Sequence, residues 1–138
     1  MAIMRISKIL VPGSSPGAPA IKMDIKIVKN SISKKELKQI AKKQFGDFVK
    51  AVVDIKQEIM AIGGELHADE EVELMEKQNS KREYTWGINL YPEIKDENWI
   101  EFDSVINLKP SFGNRSRGVD NLEIQQKIRN IIEKLVLK

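Results

Sequence analysis

The sequence contains no cysteine. That absence excludes disulfides, thiolate zinc sites, iron–sulfur clusters and cysteine nucleophiles, and it suits a reducing compartment such as the cytoplasm. Aromatic residues are scarce at 6%, and no uninterrupted apolar run approaches the ~20 residues a membrane-spanning helix requires. No membrane partner is expected. Histidine occurs once, at position 67, so a metal site built from repeated imidazoles is also excluded.

What remains is 138 residues, 41% of them apolar, which is the length of one domain with enough hydrocarbon to fold without staples. The formal charge is +3. Residues 1–22 carry Arg5, Lys8 and Lys22 and no acid, which leaves the other 20 basic residues balanced by all 20 acidic ones. A neutral body offers no net field to a phosphate backbone, so nucleic acid is not an expected partner. Residues 1–22 end in a Pro/Gly/Ser-rich spacer that resists helix and strand alike. They read as a flexible extension or expression remnant, or alternatively as a basic targeting peptide, with a single domain over 23–138.

Two helices announce themselves by their caps. Ser33-Lys34-Lys35-Glu36 has the capping-box form, with Ile32 and Leu37 spaced as a staple, and Gly46 stands where a helix would stop. Asp120-Asn121-Leu122-Glu123 repeats the box, with Val119 and Ile124 as its staple, before a stripe of Ile124, Ile128, Ile131, Ile132 and Leu135. Between them the apolar period is two. Asp24 to Lys29, Val49 to Ile55, Glu58 to Ile62, Tyr84 to Leu90 and Ile100 to Leu108 read as strands, the second and third as a hairpin. The expected fold class is α+β, a mostly antiparallel sheet with the N-terminal and C-terminal helices packed on one face. In that register Asp54, Asn89, Asp103 and Asn107 fall on the opposite face with Val52, Met60, Ile62 and Val105. Such a mixed face suggests a ligand groove, a hydrogen-bonded seam or, as the structural choice, a subunit interface of a homodimer.

Two segments could carry chemistry. In Glu65 to Leu74 an extended chain would place Glu65, His67, Asp69, Glu71 and Glu73 on one face, and a helix would bring His67 within one turn of Glu71. Either arrangement sets an imidazole beside a carboxylate, as a general base or as part of a divalent-metal site formed by His67 and Glu71. The plainer alternative is a solvated acidic face. In Pro110 to Gly118, Asn114, Arg115, Ser116 and Arg117 precede a helix N-terminus and could present guanidinium groups, hydroxyls and free amides to a small anion, with Asp103 nearby in register. A polar loop that pairs with neighbouring carboxylates is the alternative there.

Phe48-Val49-Lys50-Ala51-Val52-Val53-Asp54-Ile55, Gly63-Gly64-Glu65-Leu66-His67-Ala68-Asp69, Trp86-Gly87-Ile88-Asn89 and Gly113-Asn114-Arg115-Ser116 together resemble a family of small uncharacterised bacterial and archaeal proteins. The resemblance spans roughly residues 25–135 and implies a free-standing prokaryotic domain without implying a mechanism. Three functions are then open. One is a small-ligand site, which as an enzyme would be a hydrolase or transferase acting on an anionic metabolite, with Glu65, His67 and Asp69 as its acid/base or metal end and Arg115 with Arg117 as its anion end. Another is a non-catalytic homo-oligomeric or partner-binding module. The third is nucleic-acid binding through Lys34, Lys35, Lys38, Lys42 and Lys43 of the first helix.

Overall fold

A computed structural model of the chain describes residues 24–138. The proposed extension, residues 1–22, lies outside the described residues. Five strands form an antiparallel sheet in the order β1 (Lys26–Val28), β4 (Ile59–Ile62), β3 (Val49–Asp54), β5 (Thr85–Leu90), β6 (Ile100–Glu101). A short parallel pair, β2 (Ile32–Ser33) with β7 (Val136–Leu137), ties the start of the first helix to the end of the last. Three α-helices are present: α1 (Lys34–Gln44), α2 (His67–Gln78) and α3 (Leu122–Leu135). The chain is therefore α+β. Among the described residues no helix is long and apolar enough to cross a membrane.

The capping logic places α1 closely. The Ser33 hydroxyl accepts from the Glu36 amide, Ile32 and Leu37 are both buried, and Gly46 adopts φ +94° while its amide closes on the Ala41 carbonyl. At α3 the cap is Asn121, which accepts from the Glu123 and Ile124 amides. Asp120, expected in that role, turns back to the preceding loop, where the Arg115 amide and Ser116 hydroxyl donate to it.

Buried residues of α1 and α3 join Ala51, Val53, Met60, Ile62, Trp86, Ile88 and Leu90 in one large apolar cluster. Met60 and Ile62 were expected on the other face. The hairpin pairs Val53 with Met60 and Ala51 with Ile62, and paired residues share a face. A smaller cluster of Val52, Ile59, Ala61, Ile106 and Leu74 of α2 occupies the second face. That face is thus covered by the chain itself at α2.

The strand expected to run to Leu108 ends at Glu101. Beyond it the segment 104–107 crosses over Gly87, so closely that a Cβ there would lie 2.5 Å from Ser104 Cβ. Asn107 then takes the place of a strand. Its Oδ1 accepts from the Gly87 amide at 2.8 Å and its Nδ2 donates to the Gly87 carbonyl at 3.0 Å and the Arg117 carbonyl at 2.8 Å. One side-chain amide thereby satisfies backbone groups that a longer β6 would have paired.

Candidate functional site

Helix α2 is amphipathic in the reverse sense. Its composition of Ala, Glu, Leu, Met, Lys and Gln favours helix, Asp69 and Glu70 suit its positive end, and Asn79 closes it at φ 57°. Its buried positions, 67, 70, 71 and 74, have the i, i+3, i+4, i+7 spacing of a core-facing stripe. Three of the four are polar: His67, Glu70 and Glu71. Meanwhile Leu66, Val72 and Met75 are exposed by 55%, 47% and 40%.

His67 begins the helix and reaches down to β5, where its Nε2 lies 2.8 Å from the Ile88 carbonyl oxygen. A carbonyl can only accept, so Nε2 carries the proton and Nδ1 of the neutral ring is left as an acceptor. Burial lowers the pKa of His67 below its ordinary value, and the charge of Lys50 adds to this. The Ile88 carbonyl, the Asn89 side chain and Asp103 oppose it. His67 is therefore a neutral imidazole near physiological pH.

Glu70, one turn further on, is fully buried. Its Oε2 accepts from the Gly64 amide at 2.8 Å, and its Oε1 has no partner. Burial pushes its pKa well above the carboxylate range; the Gly64 amide and Lys50 oppose that only in part. Gly64 must be glycine for the same contact, because a Cβ would lie 2.8 Å from Glu70 Cγ. Beside it the Gln44 amide donates to the Gly63 carbonyl, leaving Gln44 Oε1 buried and unpartnered.

Lys50, Asn89 and Glu101 form a cross-strand row over β3, β5 and β6. Asn89 Nδ2 donates to Glu101 Oε1 at 2.8 Å, which fixes the amide's orientation and leaves its buried Oδ1 without a donor. Asp103 follows on the rim, accepting from Arg117 Nε at 2.7 Å with both side chains about half exposed. Of the four buried side-chain atoms without partners among the described residues, three (Gln44 Oε1, Glu70 Oε1 and Asn89 Oδ1) belong to this end of the sheet.

The residues singled out from sequence divide accordingly. His67, Asp103 and Arg117 come together here. Glu65 and Asp69 are exposed and flank His67 in sequence only. Glu71 turns to Arg82 Nη1 at 3.2 Å and to the Thr85 hydroxyl. Among the described residues no group of three or more His, Cys, Asp or Glu side chains could hold a metal ion, so His67 and Glu71 gain no third ligand. Asn114 is buried and bonded at both ends of its amide, to the carbonyls of Asn107, Ser116 and Gly118 and to the Asp120 amide. It shapes the loop. Ser116 is committed to Asp120, and the Arg115 side chain is exposed.

Sequence reasoning passed over Lys50 and Glu70; for Glu70 the helical spacing from His67 was the available signal, and for Lys50, on β3, there was none. It also passed over Lys109, which is buried with its ammonium donating to the Arg82 carbonyl at 2.6 Å and to the Thr85 carbonyl, 4.0 Å from the centre of the Trp86 ring. Burial, assisted by Arg82, lowers its pKa to about 8. With its donors facing carbonyls, Lys109 pins the 108–114 loop to β5.

A sequence model of the family described as a protein of unknown function (DUF5674) matches residues 26–135. The chain belongs to this family. The match covers every residue of the site just described and nearly all of the described fold, leaving out β7. No curated protein and no solved structure matches the chain.

Proposed function

We propose that this DUF5674 protein binds a small anionic ligand at the amino end of α2 and handles a proton there. The observation that carries the reading is the reversed amphipathicity of α2: a helix needed only for packing would bury Val72 and Met75, whereas this one buries His67, Glu70 and Glu71. Burying ionisable groups costs stability, and such arrangements concentrate at sites of function. Lys50 and Arg117 supply the charge that attracts an anion. His67, neutral with a free Nδ1, is the proton acceptor, and Glu70, protonated through burial, is the neutral acid behind it. Hydrolysis or group transfer on an anionic metabolite is the reaction class this set would serve.

The test is thermal unfolding of the full chain with inorganic phosphate, magnesium, manganese, zinc and common nucleotides. A bound probe at about a hundred times its Kd stabilises by ~2.7 kcal/mol, a shift that is easily read. The shift should be lost in Lys50→Gln and His67→Ala, each measured against its own ligand-free baseline. Stabilisation that survives both substitutions, or no stabilisation by any probe, removes the reading.

One observation favours a second reading, a partner-binding module. Val72 and Met75 on α2 are exposed, as are Val105 (61%) and Leu108 (40%) on the segment packed beside that helix. Concentration-dependent sedimentation that is abolished by Val72→Lys would support it.

A further inference from the structure

A cleft of about 280 Å³ opens at the opposite end of α1, remote in sequence from the α2 site, between the first residue of that helix, the 94–99 loop and the end of α3. Its apolar wall is Ile94, Trp99 and Val136. Three lysines and three carboxylates also line it. Among the described residues none of these six charges belongs to an ion pair, although both signs face one space. Asp96 caps the Asn98 amide, and Lys34 holds its ammonium 4.7 Å from the centre of the Trp99 ring.

Opposite charges that converge on a cleft without neutralising one another fit a ligand that carries both. A simple anion would meet three carboxylates and a simple cation three lysines, so a ligand of one sign is disfavoured by the same groups that attract it. The amino end of α1 adds its partial positive charge on the Lys34 side. The volume, just below the usual range for ligand pockets, limits the occupant to a small metabolite. We propose that this cleft binds a free α-amino acid with an apolar side chain. The lysines and the amino end of α1 hold its carboxylate, the acidic side chains hold its ammonium, and its side chain lies on Ile94, Trp99 and Val136. Its carboxylate draws Lys34 away from the indole, so Trp99 reports binding.

The experiment is an amide and indole NMR titration of the full chain with L-leucine, L-methionine and L-phenylalanine, to about 10 mM each. At least one should give saturable shifts at the Trp99 indole and in residues 94–99 and 133–138, with the Trp86 indole unmoved. For leucine, isocaproate and isoamylamine are the matched ligands of one charge; each should bind at least about tenfold more weakly than leucine. Lys34→Gln should weaken amino-acid binding by a similar factor while leaving the remaining resonances in place. The absence of saturable shifts with all three amino acids, or equal binding by a singly charged analogue, overturns the proposal. Neither result bears on the α2 site, whose probes and variants are different.

Discussion

Under α1 and α3 the sheet presents Ala51, Val53, Met60, Ile62, Trp86, Ile88 and Leu90 to a continuous apolar cluster. The other face offers α2 and the 104–107 segment a small apolar patch, and around it amides, carboxylates and an imidazole bonded to backbone. The first face is stabilised by the area it removes from water, which is tolerant of detail and indifferent to pH. The second depends on polar groups being paired one by one, so single atoms matter there and protonation matters with them. Of the four buried side-chain atoms without partners among the described residues, Glu70 Oε1 and Asn89 Oδ1 belong to the second face, while Trp86 Nε1 and Gln44 Oε1 come from the side of α1 and α3.

The largest effect expected is on the apolar face. Trp86 is 2% exposed within the large cluster, and Trp86→Ala should cost ~3–5 kcal/mol in equilibrium denaturation. A silent substitution would erase the distinction between the faces. Next comes Asn107→Ala, which strips partners from the Gly87 amide and from the Gly87 and Arg117 carbonyls. A cost of ~2–3 kcal/mol is expected with little loss of apolar area. If Asn107→Asp is equally costly, the donor half of the amide is what matters.

Smaller and dependent on pH is His67→Ala. Because the folded pKa of His67 is lowered, its contribution is present above the ordinary value of 6.5 and is lost as pH falls through the folded value. The substitution should therefore cost ~1–3 kcal/mol near neutrality and less in acid. A cost that does not vary with pH would mean that the ring is not kept neutral by its surroundings. The smallest effect is expected of Glu70→Gln, and it has the opposite sign. The folded pKa of Glu70 is raised, so its contribution is complete below the ordinary value of 4.5 and is lost as pH rises toward the folded one. Glutamine cannot ionise. The variant should match the parent in acid and exceed it in stability above neutrality, as read from urea midpoints across pH.

The same contrast explains what could be read from the sequence. Both helices on the apolar face are marked by caps and staples, and β3 and β5 by alternation, because hydrocarbon burial leaves a period in the chain. α2 leaves no such period: at its core-facing spacing stand His67, Glu70 and Glu71, which read equally well as a solvated face. β4 is apolar at all four positions, Ile59 to Ile62, since both of its faces are covered, so its register cannot be taken from pattern. The expected continuation of β6 fails because Asn107 replaces backbone pairing, and an asparagine in a run of alternating residues carries no sign of that role. In the candidate site His67, Asp103 and Arg117 could be named in advance by residue type. Glu70 was within reach through its helical spacing from His67, whereas half-buried Lys50 gains its place only from atoms distant in sequence.

The most direct test of the polar face is an NMR pH titration following the Glu70 side-chain carboxyl carbon alongside those of the exposed glutamates. Glu70 is expected to remain protonated through the ordinary glutamate range and to titrate well above it. Ionisation of Glu70 within the ordinary glutamate range would contradict the account, for it would leave no neutral acid at the amino end of α2 and no reason for that helix to bury its polar side.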